Sequence, residues 1–395
     1  MKSKLLILTA ITLAVPSVGF ALGFRIADQD AEATARGNAF TATADNPSAI
    51  FYNPAGITQL EGTNARFGLY GIYLQSKYTD PSGQNSVRTR DQPAALPQFY
   101  VTHQIKDTPF TVGFGSYAPF GLGLEYPEDA PFRTAGLKGS IVYFTLNPVI
   151  AWKINSTLSV AAGLDINYAD AALEQGILPT PFNSFKFRAH GVGVGYNLGL
   201  MWQPLPQHSF GLSYHSADRI SLHGRTTTAI PGFTYLVQDA KSDFQFPDFL
   251  VLGYSYRPTP DWNFEVDVDW TNWHQLRTFH INQQVSGNIA VPFNWNSSLF
   301  YEFGVTRYFA QNYHASLGYI YSTQSVPAES FSPLVPDSNR HIASAGLGWK
   351  KDRYSWDFAY QLTYGPPRTI SNGSVADGDY RFLSHAITFS IGYHF

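Results

Sequence analysis

The sequence has no cysteine and only two methionines among its 395 residues. Disulfide frameworks, thiol nucleophiles and thiolate metal sites are thereby excluded. Charge is scarce too: Asp, Glu, Lys and Arg make up 14% of the chain, against roughly 25% in ordinary soluble domains. Beyond the first residues there is no second helix-length apolar run, which excludes a bundle of membrane-spanning helices. No Walker-type glycine-rich loop is present to cradle a nucleotide. The 11 histidines show no metal-ligand spacing, so neither a metal nor a cofactor is expected.

What is abundant is aromatic: 30 Phe, 24 Tyr and 8 Trp, or 16% of the chain. Many rings with few charges suit a transmembrane β-barrel, which needs an apolar outer band and an aromatic girdle at each interface. The start reads as an export signal. Lys2 and Lys4 precede an apolar stretch from Leu5 to Val15, Pro16 breaks it, and Gly19 and Ala21 supply the small residues of a cleavage site. The expected signal peptide is 1–21, with the mature chain starting at Leu22. Removing Lys2 and Lys4 leaves 24 bases against 29 acids, a net charge of −5 that argues against nucleic acid as a partner.

The last nine residues alternate without a slip. Ile387, Phe389, Ile391, Tyr393 and Phe395 share one face, and Thr388, Ser390, Gly392 and His394 the other. Period-2 alternation with one greasy face is a strand between two environments. Phe264 to Trp270 alternates with Glu265, Asp267 and Asp269, and Tyr354 to Tyr360 with Ser355, Asp357 and Ala359. Rings on one face and carboxylates on the other imply a lipid-facing wall and a polar lumen. No open edge is tolerated in hydrocarbon, so the sheet must close. Some 15 candidate segments between 64 and 395, among them 208–217, 221–228 and then 247–257, point to an even count near 14, since bacterial barrels have even strand numbers. The expected fold is an all-β membrane protein, a closed antiparallel barrel over 63–395.

Residues 22–62 lack this alternation and read as short helix and loop. Within them the stretch IFYNPAGI (50–57) sets an Asn-Pro turn inside apolar sequence. Such a segment cannot lie in lipid with unpaired backbone, so it is expected to plug the lumen.

Six fragments in order carry a family resemblance. They are LGFRIADQDAEATARGNAFTATADNPSAIFYNPAGI (22–57), YAPFGLGLEYP (117–127), LNPVIAWKINSTLSVAAGLDINYAD (146–170), FPDFLVLGYSYRP (246–258), DVDWTNW (267–273) and VPDSNRHIASAGLGW (335–349). Together they resemble the FadL family of outer-membrane transporters for hydrophobic compounds. The resemblance implies a 14-stranded barrel plugged by an N-terminal hatch that includes the motif Asn53, Pro54 and Ala55. Ligand, a fatty acid or hydrocarbon, would be captured at extracellular loops, held in the lumen and released sideways where the third strand is kinked. The hatch N-terminus, Leu22, Gly23 and Phe24, would couple binding to release. It also implies an outer-membrane location among lipid and lipopolysaccharide, with terminal Phe395 read by the barrel-assembly machinery.

The kink has support of its own. Phe110–Tyr117 reads as a strand that runs into Ala118, Pro119, Phe120 and Gly121, and proline in a sheet is confined to edges and bulges. Pro119 either kinks the wall or begins an extracellular loop. Leu122, Leu124, Phe132, Ile177, Phe182 and Phe185 are candidates for an apolar capture groove, with Arg133 and Arg188 as partners for a fatty carboxylate. One departure stands out: Asp170 occupies a point in NYADAALEQ where fatty-acid members carry a base, which leaves room for alkanes or monoaromatics. Glu265, Asp267 and Asp269 are expected to line the lumen, paired with arginines of neighbouring strands. Trp270, Trp273, Trp349 and Trp356 are expected as interfacial anchors. A general porin and an outer-membrane lipolytic enzyme are the readings from other classes. No catalytic residues are singled out.

Overall fold

A computed structural model describes residues 23–395; the expected signal peptide and Leu22 lie outside the described residues. Fourteen wall strands close into one antiparallel barrel. They are β1 (Thr63–Thr79), β2 (Ala94–Gln104), β3 (Phe110–Tyr117, resuming at Gly121–Glu125), β4 (Lys138–Lys153), β5 (Leu158–Gln175) and β6 (Ser184–Leu205). Next come β7 (His208–His215 and Asp218–Ile230), β8 (Thr234–Phe246 and Phe249–Thr259), β9 (Trp262–Thr271 and Thr278–Gln283) and β10 (Ile289–Pro292 and Ser298–Phe309). β11 (Tyr313–Ser322), β12 (Arg340–Lys351), β13 (Tyr354–Ile370) and β14 (Gly378–His394) complete the wall. Closure is by β1 against β14, from Asn64↔His394 to Thr79↔Asp379. A short strand, Ser86–Arg88, pairs on β1.

The expected barrel therefore forms, with several differences in how its wall is segmented; Gly121–Glu125, Thr278–Gln283 and Ile289–Pro292, for instance, lie outside the candidate segments. The sequence segments near 208–217 and 221–228 are one wall strand, β7, interrupted at Ser216. The upper half of β8, Thr234–Phe246, was absent from the expected set. Its outward residues there include Asp239, Lys241 and Asp243 as well as Tyr235 and Val237, so its outer face lacks an unbroken apolar run.

Burial alternates as lipid and lumen demand. On β6, Val192 and Val194 are more than 60% exposed while Phe187 and Ala189 beside them are buried. No described helix is long and apolar enough to cross a membrane. Residues 23–62 instead fill the lumen with two short helices, α1 (Ala31–Ala35) and α2 (Ala49–Tyr52), and a 3-10 turn (Pro54–Gln59). Asp30 caps α1 by accepting from the Glu32 amide, the role a short acceptor side chain plays at an N-cap. Asn53 caps the 3-10 turn through the Ala55 amide and Pro54 occupies its first position, where a missing N–H costs nothing. The turn in IFYNPAGI is thus a buried corner. Asn53 Nδ2 donates to Thr41 O (2.8 Å) and Leu200 O (3.0 Å), which pins the corner to β6.

Candidate functional site

β2 and β3 pair from Gln104↔Thr111 up to Phe99↔Ser116 and then part. Above that point Ala94–Gln98 pairs only with β1, and Gly121–Glu125, including Leu122, only with β4. The two edges rejoin where Arg90 N donates to Glu125 O (2.8 Å). Between these limits the wall has a window, and Pro119 lies on its rim. Pro119 is therefore a mid-strand kink rather than a loop start, because the strand resumes at Gly121.

An unpaired rim in hydrocarbon would be costly. The hatch N-terminus covers it. Ile26 N donates to Pro119 O (2.8 Å) and Gly121 N donates to Phe24 O (2.7 Å), so Arg25 and Phe120 form a β-bridge. Gln29 Nε2 donates to Ala118 O (2.9 Å), Gln98 Nε2 to Asp28 O (2.9 Å) and Tyr100 Oη to Gln29 O (2.9 Å). Gly121 is needed here: a Cβ on it would stand 2.8 Å from Ile26 Cδ1.

Immediately inside, Phe24 is enclosed by rings. Its centroid lies 4.6 Å from Trp273, 5.6 Å from Phe244 and from Trp295, 6.0 Å from Phe246 and 6.1 Å from Phe120. Gly23, at φ +60°, lets the chain press against Trp273, where a Cβ would come within 2.4 Å. Trp273 is fully buried, not an interfacial anchor. β9 breaks at Asn272 into a 3-10 turn, Trp273–Gln275, that carries the ring inward.

The rest of the hatch is held by charge. Arg25 pairs with Asp269 (2.6 Å) and Arg36 with Glu265 (3.1 Å), while Arg66 bridges Asp30 (2.5 Å) and Asp357 (2.7 Å). The amides of Phe40 and Thr41 donate to Asp267 Oδ2 (3.1 and 2.9 Å). Glu265 Oε1 accepts from the amides of Ala42 (2.7 Å) and Thr43 (3.2 Å). The carboxylates do line the lumen, but Arg25 and Arg36 come from the hatch rather than from neighbouring strands. Burial raises Asp28 above the usual carboxylate range, against hydrogen bonds from Asn38 and Gln361. Burial, then the Asp357 and Asp45 charges, raises Glu32. Burial also acts upward on Asp45, but Arg257 and Lys350 prevail and hold it low.

The periplasmic mouth between hatch and wall holds a cavity of about 600 Å³, lined by Arg66, Asp357 and Lys350 together with apolar and aromatic residues such as Leu60 and Phe309. Glu32, His314 and Asp357 approach one another there closely enough to hold a cation. Asp357 is already bonded to Arg66 and to His314 (2.8 Å), and Glu32 accepts from Asn46 (2.8 Å).

The expected capture residues do not form one groove. Phe132 is fully buried among Tyr78 and Tyr126, each 4.8 Å away. Leu124 joins Leu74 and Phe382 in a separate cluster. Phe185 is buried, Ile177 packs at the edge of the main core, and Phe182 is 82% exposed. Arg133 is not free for a ligand. Its Nε donates to Glu128 O (2.9 Å), Nη1 to Leu178 O and to Thr180 O (2.6 Å), and Nη2 to Asn183 O (3.0 Å), so it clamps two loops together. Arg188 faces outward beside Asp170 (3.6 Å) with its side chain 77% exposed.

One residue missed at the sequence level is Arg340. It is 1% exposed, lies 3.5 Å over the Phe382 ring and donates to Pro336 O (3.2 Å). Its Nε has no hydrogen-bond partner, and no carboxylate among the described residues lies within ion-pair distance of it. It borders an interior cavity of about 30 Å³, and a second cavity beyond Arg25 measures about 10 Å³. Neither admits a ligand of drug-like size, which needs roughly 300 Å³ or more. A ligand can enter these spaces only by displacing something.

The comparisons with known proteins agree with this architecture. The family described as outer membrane protein transport protein (OMPP1/FadL/TodX) matches residues 12–395. A long-chain fatty acid transport protein of Escherichia coli is 23% identical over 90% of this chain and 89% of its own length. Outer membrane protein P1 of Haemophilus influenzae is 23% identical over 99% of this chain and 98% of its own. Among solved structures, a FadL homologue of Pseudomonas aeruginosa superposes with a TM-score of 0.83 at 18% identity, covering 94% of this chain and 100% of the other. The toluene transporter TodX of Pseudomonas putida gives 0.78 at 15% identity, covering 94% and 99%. The chain thus belongs to the OMPP1/FadL/TodX family, outer-membrane transport proteins for hydrophobic compounds.

Proposed function

We propose that the protein takes up long-chain fatty acids passively and releases them sideways between β2 and β3. One observation carries this reading. The segment 24–26 both fills the aromatic box with Phe24 and supplies the backbone pairing that closes the window. An apolar ligand that takes the box evicts Phe24, and eviction pulls on the bonds to Pro119 and Gly121. Sideways exit is energetically sensible. Release into water forfeits on the order of 0.8 kcal/mol per CH₂, whereas release into the bilayer forfeits almost none of it.

Arg340 supports a carboxylate ligand, because a buried guanidinium with an open Nε is stabilised by an anion that bonds it. The apolar residues nearby, Phe382 and Ile342, suit the chain that follows the carboxylate. A second reading, uptake of uncharged hydrocarbons by the same route, draws on the likeness to TodX; Asp170 does not bear on it, because it faces outward beside Arg188 rather than into the lumen.

Uptake of radiolabelled oleate and toluene by cells with and without the gene separates the two. The expected result is a loss of oleate uptake on deletion; no loss of either compound contradicts the transporter reading. Arg340→Gln is expected to weaken oleate binding by about 10- to 100-fold, roughly the 1.5–3 kcal/mol of a charged hydrogen bond, with toluene unchanged. Equal binding of oleate by both forms favours the hydrocarbon reading.

A further inference from the structure

Charge on the outer rim of the barrel is arranged in two ways. On β5 to β8 four outward cations each stand beside an acid, Lys186–Glu174 at 2.9 Å, Arg188–Asp170 at 3.6 Å, Arg219–Asp243 at 2.8 Å and Arg225–Asp239 at 3.4 Å, and a fifth, Lys241, lies between Asp239 and Asp243 on its own strand. On β14, β1 and the short strand Ser86–Arg88 the arrangement differs. The register sets Arg381 directly opposite Lys77 and Lys77 directly opposite Arg88. All three point outward, since Phe382, Tyr78, Ser76 and Thr89 beside them are buried. None has a carboxylate within ion-pair distance among the described residues. The acid of the next outward row, Asp379 opposite Thr79, accepts from Thr369 Oγ1 (2.5 Å).

Like charges directly opposite one another destabilise an antiparallel pair. Three cations in one row need an anion from outside the chain, and the height of the row says which. It lies ten residues up each strand (67 to 77, 391 to 381) from the lipid-facing pair Phe67↔Ile391. With a rise of about 3.3 Å per residue and a tilt near 40°, that is about 25 Å, the height of the apolar band. Leu383, 41% exposed, stands one outward step below Arg381. The row therefore meets the outer leaflet where hydrocarbon gives way to headgroups. Guanidinium groups match phosphate oxygens in a bidentate fork, and Lys adds a point charge.

We propose that Arg381, Lys77 and Arg88 bind the phosphate groups of the outer leaflet's glycolipid, lipopolysaccharide. The row adjoins the window, because Arg90, two residues beyond Arg88, makes the backbone bond that closes its upper end.

The test measures binding of bisphosphorylated lipid A to the purified full-length barrel by native mass spectrometry. Three forms are compared: the unaltered chain, the triple variant Lys77→Gln/Arg88→Gln/Arg381→Gln, and a control triple Arg188→Gln/Arg219→Gln/Arg225→Gln from the paired rim. Heat-modifiable migration on gels shows that each is folded, and Arg88→Gln alone stands in if the first triple fails to fold. Loss of the row is expected to weaken binding by about tenfold or more, as removal of charge-assisted bonds should, with the control close to the unaltered chain. Dephosphorylated lipid A is expected to bind the unaltered chain no better than the triple variant. Equal binding by the triple variant, equal loss in the control, equal binding of the dephosphorylated lipid, or inorganic phosphate that competes at the lipid's own concentration would each overturn the proposal.

Discussion

The hatch is held at its two ends by different physics. At its base, Arg66 bonds Asp30 and Asp357, Arg36 bonds Glu265, and four consecutive amides from Phe40 to Thr43 donate to Asp267 and Glu265. These bonds are directional, and a hydrophobic ligand cannot replace any of them. At its tip, Phe24 and Ile26 are held by rings, aliphatic contacts and two backbone bonds at the kink, while Arg25 between them makes a buried ion pair with Asp269. Apolar contacts are non-directional, so a ligand of the right size can substitute for the protein's own side chain. In the proposed cycle the base stays in place and the tip yields its site to the ligand.

Breaking the base is expected to have the largest effect. Arg66→Ala leaves Asp30 buried without its cation and Asp357 with His314 alone, a cost of about 3–5 kcal/mol. The expected outcome is ion conductance in planar bilayers as the hatch loosens; a variant as silent as the unaltered barrel would show that these bonds do not hold it. Phe24→Ala should act on affinity instead. Ligand no longer has to evict a ring worth roughly 1.5–3 kcal/mol of burial, so oleate should bind more tightly, by about tenfold or more, with no conductance. Weaker binding would mean that Phe24 is part of the ligand's site rather than its competitor.

The smallest effect is a pH dependence at the base. Glu32 is raised above its usual 4.5 by burial and by Asp357 and Asp45, so its ionised form costs stability at neutral pH. Acidification relieves that cost as pH falls through the raised value. Glu32→Gln should therefore slow hydrogen exchange of hatch amides at pH 7.5, and the difference should shrink toward pH 4.5. A difference that grows on acidification would reverse the assigned sign.

The wall was legible because lipid and lumen impose opposite chemistries on alternate residues, as in Ile387 to Phe395. It became illegible where strands rise past the lipid. Thr234–Phe246 carries Asp239, Lys241 and Asp243 outward after Tyr235 and Val237, so the greasy face that marks a strand is broken. The position of Arg188 could have been read correctly: it shares parity with Val192, Val194 and Tyr196, which face lipid. Arg133 could not, since its partners Leu178, Thr180 and Asn183 lie 45 to 50 residues away. The hatch arginines were equally hidden, because Arg25 and Asp269 are 244 residues apart. Sequence shows which face a residue takes, whereas pairing across the lumen requires the closed barrel.

The central claim is that the hatch tip must leave the kink for ligand to exit. A Cβ at Gly121 would stand 3.9 Å from Ile26 Cγ1, the position a cysteine sulfur would take, so Ile26→Cys/Gly121→Cys brings two thiols within about 1 Å of disulfide geometry. The chain has no other cysteine to interfere. Uptake of labelled oleate is measured on this one protein, oxidised and then reduced. The account predicts background uptake when the tip is tied to Gly121 and recovery on reduction. Equal uptake in both states would contradict it.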